Sequence, residues 1–126
     1  MAFDWEEYLR VAEFLKGDQI VPIRSAKDRS SISRSYYAAL MMARNFVKHT
    51  HPGADIGVSG ALHRRLPRWL KEHPNESYRM VGEYLERLRR KREKADYEDA
   101  NLPRLEDDAY DAACNSEIAI RTLKAL

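Results

Sequence analysis

Cysteine is almost absent from this sequence. Cys114 is the only one, so no disulfide can close within the chain. That usage fits a reducing compartment, and a cytoplasmic location is expected. Strand signals are equally scarce, because β-branched residues are few and never alternate over a useful length. No long apolar run exists either. The longest uncharged stretch near the middle, Ser35 to Ala43, falls far short of the roughly 20 residues that a bilayer span needs, so no membrane role is expected. The opening MAFDWEEYLR is acidic and amphipathic, unlike a signal peptide, and without export the Asn75-Glu76-Ser77 sequon is empty. There is no Gly-rich phosphate loop, nucleophile elbow or coupled acidic metal motif. His49, His51, His63 and His73 match no strong zinc spacing and read as loop or helix-end residues, so no metal and no cofactor is expected.

What remains is a helical chain. With 126 residues, 44% apolar and 33% charged, it has the balance of a soluble globular protein, and residues 1–126 are expected to form one domain around one core. Net charge is only +2, so any affinity for anions has to come from clustering.

Helical periodicity places the elements. Asp4 is positioned to cap a first helix, with Glu7 completing a capping-box-like pair and Phe3 and Tyr8 forming a hydrophobic staple. Trp5, Tyr8, Leu9, Ala12 and Leu15 share its face, and Gly17 is a natural stop. A longer helix starts around Ser25 to Asp28 and reaches about His49. Its stripe is Ile32, Tyr36, Ala39, Leu40, Ala43 and Val47, and Ala38, Ala39 and Ala43 permit close helix packing. Thr50 to Ser59 reads as a loop. Ser59 is a cap for a shorter helix through Leu62, Leu66, Trp69 and Leu70, which Pro67 should kink or divide. Pro74 and Asn75 begin a long helix to about Tyr97. After the break at Asn101, Leu102 and Pro103, a last helix turns Leu105, Ala109, Ala112, Ser116, Ala119 and Leu123 inward. The expectation is all-α: an antiparallel bundle of four main helices plus a short kinked helix.

The fourth main segment carries an anomaly. Its stripe is Tyr78, Val81, Leu85 and Leu88, and the next steps fall on Arg92 and Ala95. A guanidinium on the apolar stripe requires a carboxylate, a ligand or a route to water. Asp96, four residues on, can pair with it along the helix. Two other readings stay open: a pocket in which Arg92 holds phosphate through its bidentate fork, and exposure at a fraying helix end. Around it stand Arg87, Arg89, Arg90, Lys91 and Lys94, either a solvated face or an RNA- or nucleotide-binding surface with salt-sensitive affinity. His63, Arg64, Arg65 and Arg68 form a second basic group that can extend such a surface. Ser33 and Tyr37 share a face of the second helix, which packing can bring to Arg92 and Asp96. Tyr36 reads as a core tyrosine with a satisfied hydroxyl, and Cys114 as a small core or semi-exposed residue rather than a nucleophile.

Two segments, RSSISRSYYAALMMARNFV (Arg29 to Val47) and LRRKREKADYED (Leu88 to Asp99), carry a resemblance. The chain resembles the HEPN domains, in particular the small single-domain prokaryotic kind with a Ser-Arg-x-Tyr-Tyr-Ala helix and a later Arg-x-x-Ala-Asp-Tyr. The N-terminal FDWEEYLRVAEFL is similar to such proteins too. The resemblance implies an all-α bundle, often a homodimer, with an anion- or RNA-binding groove at the dimer interface. It also implies a place in a toxin–antitoxin or defence pair, with a nucleotidyltransferase-like antitoxin as partner. Many members are metal-independent ribonucleases whose signature is an Arg, four to six residues, then a His. This chain departs from that signature. With Tyr97 in the place of the motif tyrosine, Arg90 takes the arginine position and Ala95 the histidine position, and no histidine follows His73. Arg44-x4-His49 has the spacing but lies on the wrong helix.

A tyrosine is a poor base near neutral pH, and a carboxylate paired with arginine is a weakened one. The expectation is therefore an RNA- or nucleotide-binding protein using Arg89, Arg90, Arg92, Lys94, Ser33, Arg34 and Tyr37. If chemistry occurs, Arg90, Arg92, Asp96 and Tyr97 are the candidates. A non-catalytic helical dimerisation adaptor is the remaining alternative.

Overall fold

The structure is a computed structural model that describes residues 3–16, 24–98 and 102–126. It is all-helical. Five helices pack together: α1 (Glu6–Leu15), α2 (Arg24–Thr50), α3 (Leu62–Lys71), α4 (Glu76–Tyr97) and α5 (Leu105–Lys124), with one 3₁₀ turn, Ser59–Ala61, before α3. No strand occurs among the described residues, and no described helix is long and apolar enough to cross a membrane. Gly17 and Asn101, read as breakers, lie outside the described residues.

The start of α1 departs in part from expectation: its N-cap is Trp5, with no side-chain cap bond, and Asp4 sits one residue before it. Asp4 Oδ1 accepts from the Glu6 N–H at 3.0 Å, and the Phe3 and Tyr8 rings meet edge-on with centroids 5.7 Å apart. The Glu7 N–H bonds to the Asp4 carbonyl at 3.0 Å. At α4 the cap is Asn75, whose Oδ1 accepts from Ser77 at 2.8 Å and Tyr78 at 3.4 Å. Such a cap is worth about 1 kcal/mol.

The α2 helix is the centre of the packing and touches α1, α4 and α5. Ile32, Tyr36, Ala39, Leu40, Ala43 and Val47 are all buried, and each large apolar side chain so enclosed contributes about 1.5–3 kcal/mol. On the other side of α2, Ala38 joins Leu9 and Ile120 in a smaller cluster. Ser31 Oγ, fully buried, donates to the Ala12 carbonyl at 2.7 Å and ties α2 to α1. Of the last helix's predicted inner face, Ala109, Ala112, Ser116, Ala119 and Leu123 are buried and Leu105 is half-buried.

Two expectations about α3 need correction. Ser59 does not cap it. Ser59 lies in the 3₁₀ turn with a left-handed φ of 51°, and Val58 precedes that turn with no side-chain cap. Nor does Pro67 divide it, because α3 continues through Pro67 to Lys71. Pro67 has no N–H to give the His63 carbonyl four residues back. Arg89 Nη1 on α4 donates to that carbonyl instead, at 3.3 Å.

The α3–α4 approach depends on Gly82. A Cβ there would lie 2.9 Å from the Pro67 carbonyl oxygen and 3.0 Å from the Lys71 nitrogen. Those are backbone atoms, so hydrogen at this position is what lets α3 come so close.

Candidate functional site

The predicted α4 stripe is real. Tyr78, Val81, Leu85, Leu88, Arg92 and Ala95 are all buried, with Arg92 8% exposed. Its contacts come from α2 and from α4 itself. The guanidinium carbon lies 5.1 Å from the Tyr36 ring centroid, 5.7 Å from Tyr37 and 5.8 Å from Tyr97. Three ring faces at such distances attract the cation through their negative quadrupoles.

Conventional partners are weaker. Arg92 Nη1 reaches Asp96 Oδ2 at 3.5 Å and donates to the Tyr97 hydroxyl at 3.4 Å. Both are long beside the 2.7–2.9 Å of a strong charge-assisted bond. Its buried Nε has no hydrogen-bond partner among the described residues. Burial alone would lower the Arg92 pKa, but Tyr37, Tyr36, Asp96 and the Tyr97 hydroxyl outweigh it and the pKa is raised. Arg92 therefore stays charged.

What the sequence did not reveal is the position of His63, on α3, beside Tyr36. His63 Nδ1 lies 2.6 Å from the Tyr36 hydroxyl. Its ring stacks on Tyr36 with centroids 5.6 Å apart and meets Tyr37 edge-on at 5.9 Å. Burial lowers the His63 pKa, and the Arg92 and Arg89 charges lower it further against a weaker pull from Glu93. The imidazole is therefore neutral near pH 7. Burial raises the Tyr36 pKa well above its usual range, with the Arg92 charge opposing. Tyr36 is thus a buried tyrosine whose hydroxyl is satisfied by a histidine 27 residues away. Neither spacing nor motif could have found that pair, because it depends on where α3 docks.

The other candidates divide among different faces. Successive helical residues turn about 100°, so positions two apart point nearly oppositely. Arg89 is on the Arg92 side but is braced within the protein: besides the His63 carbonyl it meets Glu86 at 3.3 Å and Glu93 at 3.8 Å. Arg90 and Lys94 line a different groove, between α4 and α5, of about 460 Å³. Arg87 and Lys91 share it, and Lys91 pairs with Asp108 at 3.4 Å. An adjoining hollow of about 390 Å³ adds Arg104.

Arg34 packs over the Tyr8 ring at 4.6 Å, on the α1 side of α2. Ser33 is half-buried, and Tyr37 alone of the Ser33, Arg34 and Tyr37 group touches Arg92. Asp96 and Tyr97 stand at the rim, Tyr97 being 73% exposed. In the second basic group, Arg65 pairs with Asp55 at 3.1 Å, and Arg64 and Arg68 are exposed. Cys114 is exposed.

His51 and His73 belong to a separate aromatic cluster with Trp69 and Tyr78. There His51 Nε2 lies 2.8 Å from the Tyr78 hydroxyl, and His73 stacks on Tyr78 at 3.9 Å. Among the described residues no group of three or more His, Cys, Asp or Glu is placed to hold a metal ion.

No family model, curated protein or solved structure matches this chain.

Proposed function

We propose that this chain is an HEPN-like RNA- or nucleotide-binding protein, in which Arg92 receives phosphate and Tyr97 stacks a base. One observation carries the reading: a buried, charged guanidinium with only long polar contacts lies under three tyrosine rings, one of which is open to solvent. Arginine beside an exposed ring suits single-stranded nucleic acid, since every base offers a π-face and every linkage an anion. Arg90 and Lys94, in the groove on the other side of α4, would draw in the neighbouring phosphates. The resemblance extends the reading to a homodimer in a toxin–antitoxin or defence pair, with a nucleotidyltransferase-like antitoxin. It also gives the architecture as an antiparallel bundle of four main helices with α3 as the short extra one. That arrangement is supported by contacts of α2's start with α4's end and of α1's start with α5's end, through Arg29–Ala95 and Glu6–Lys124.

The test is a titration of labelled single-stranded RNA at two salt concentrations. Arg92→Met and Tyr97→Ala should each weaken binding about tenfold, the scale of one lost stack or charged contact. Arg90→Ala with Lys94→Ala should reduce the salt slope by about 2. Affinity unchanged in Arg92→Met would remove this site and favour the dimerisation adaptor.

A second reading, metal-independent RNA cleavage, is favoured by His63. It supplies near Arg92 the imidazole that α4 lacks. With its Nδ1–H donating to the Tyr36 hydroxyl, Nε2 would be free to take a 2′-hydroxyl proton while Arg92 stabilises the phosphorane. Cleavage in chelator that disappears in His63→Ala but survives in Asp96→Ala and Tyr97→Phe would assign the proton transfer to His63. Survival in His63→Ala would exclude it.

A further inference from the structure

A further hollow lies away from Arg92. It is a pocket of about 550 Å³ between the C-terminal part of α2, the 51–58 connection and the start of α3. Its apolar wall includes Ile56 and Leu62, both buried in the main core, and Val58, which is 78% exposed. Val58 at the rim extends the apolar wall outward, where a ligand's hydrocarbon could cover it.

The charged part of the wall is mostly basic. Arg44, Lys48 and Arg65 stand against a single carboxylate, Asp55, and Arg65 already pairs with it at 3.1 Å. The Arg44 guanidinium donates to a neutral acceptor, Asn45 Oδ1, at 3.1 and 3.0 Å and lies 6.0 Å from the Trp5 ring centroid, with no carboxylate among these contacts. Lys48 has no carboxylate partner among the described residues. Two lining residues, Arg44 and Lys48, thus carry positive charge without a carboxylate partner among the described residues.

The wall is also held in place. Gly57 has a φ of 74°, and a Cβ there would lie 3.0 Å from Ala61 Cβ and 3.1 Å from Arg65 Cδ. Ser59 takes a left-handed φ of 51° without being glycine, a conformation that persists only when its surroundings impose it. The pocket is of ordinary small-ligand size.

We propose that this pocket binds a small amphipathic anion, its carboxylate or phosphate on Arg44 and Lys48 and its hydrocarbon body against Val58, Ile56 and Leu62. The site is separate from the Arg92 cluster and stands whether or not that cluster binds RNA.

Calorimetric titration of the full chain with octanoate, octyl phosphate and octanol tests it. Saturable binding of at least one of the two anions is expected, with octanol weaker by about tenfold or more, the value of one good charge contact. The tighter of the two anions identifies the headgroup. Arg44→Ala combined with Lys48→Glu should abolish the anion preference, and Lys48→Glu alone, at an exposed position, should reduce it with only a small fall in melting temperature, since Lys48 lies in the last turn of α2. No saturable heat with either anion, octanol binding equally well, or unaltered affinity in a folded Lys48→Glu protein would each overturn the proposal.

Discussion

The Arg29 guanidinium donates through one nitrogen to the carbonyls of Ala95, at 2.9 Å, and Glu98, at 2.7 Å. Arg29 opens the first of the two sequence segments that carry the family resemblance, and both acceptors lie in the second. The two are thus physically joined, at the helix end where carbonyls lack intrahelical donors and the macrodipole favours a cation. Arg29→Ala should cost about 1–3 kcal/mol, the range for a bond to a charged group. Amide exchange in the last turn of α4 should accelerate, and Arg29→Lys should recover part of the loss. Unchanged exchange at residues 94–98 would show that the contact does not hold this helix end.

Gly82 separates propensity from packing. In an exposed helix interior, alanine would gain about 1 kcal/mol over glycine. Here the new methyl would press on the Pro67 carbonyl and the Lys71 nitrogen, 2.9 and 3.0 Å away, and overpacking typically costs about 1–3 kcal/mol. Gly82→Ala should therefore be neutral to destabilising in urea denaturation. A clear stabilisation would mean that α3 and α4 do not approach as closely as described.

Much of the fold was legible because it rests on local arithmetic. The α2 and α4 stripes follow 3–4 spacing, and the same spacing put Arg92 inside. The spread of the basic run was also within reach, since Arg90 and Lys94 are each two residues from Arg92 and so lie nearly opposite it on the helix. Along a helix, nearness in sequence is not nearness in space. Arg34, two before Tyr36, illustrates the same geometry by stacking on Tyr8. What could not be read is the docking of α3. It depends on a hydrogen at Gly82, a missing N–H at Pro67 and a guanidinium at Arg89, three residues on two helices whose registration no local pattern specifies. His63 reaches Tyr36 only through that docking.

The His63 environment makes stability depend on pH. On α2 it faces Tyr36 and Tyr37, and on α4 the Arg89, Arg92 and Glu93 charges. Its pKa falls below the ordinary 6.5 on folding. The unfolded chain therefore takes up a proton before the folded one does, so stability rises with pH across that interval and is lost as pH drops below 6.5. Urea denaturation of wild type and His63→Gln should show a shallower decline for the variant just below pH 6.5. NMR should place the wild-type imidazole titration lower than that of a free histidine. Equal slopes, or an unshifted titration, would refute the account.

The Pro67–Arg89 relationship can be isolated by a double-mutant cycle. Pro67→Ala restores an N–H that can bond to the His63 carbonyl, the acceptor Arg89 now serves at 3.3 Å. In the parent, Arg89→Met leaves that carbonyl without a donor and breaks the contacts with Glu86 and Glu93. In the Pro67→Ala background only the latter are lost. Arg89→Met should therefore cost less in the second background, by a coupling of about 0.5–1.5 kcal/mol, the net worth of one hydrogen bond. Pro67 is itself buried, so Pro67→Ala alone can destabilise through lost packing. That packing loss cancels in the cycle, and only the shared carbonyl remains. A coupling of zero would mean that Arg89 braces α3 through its carboxylates alone, and that the proline in α3 requires no help from α4.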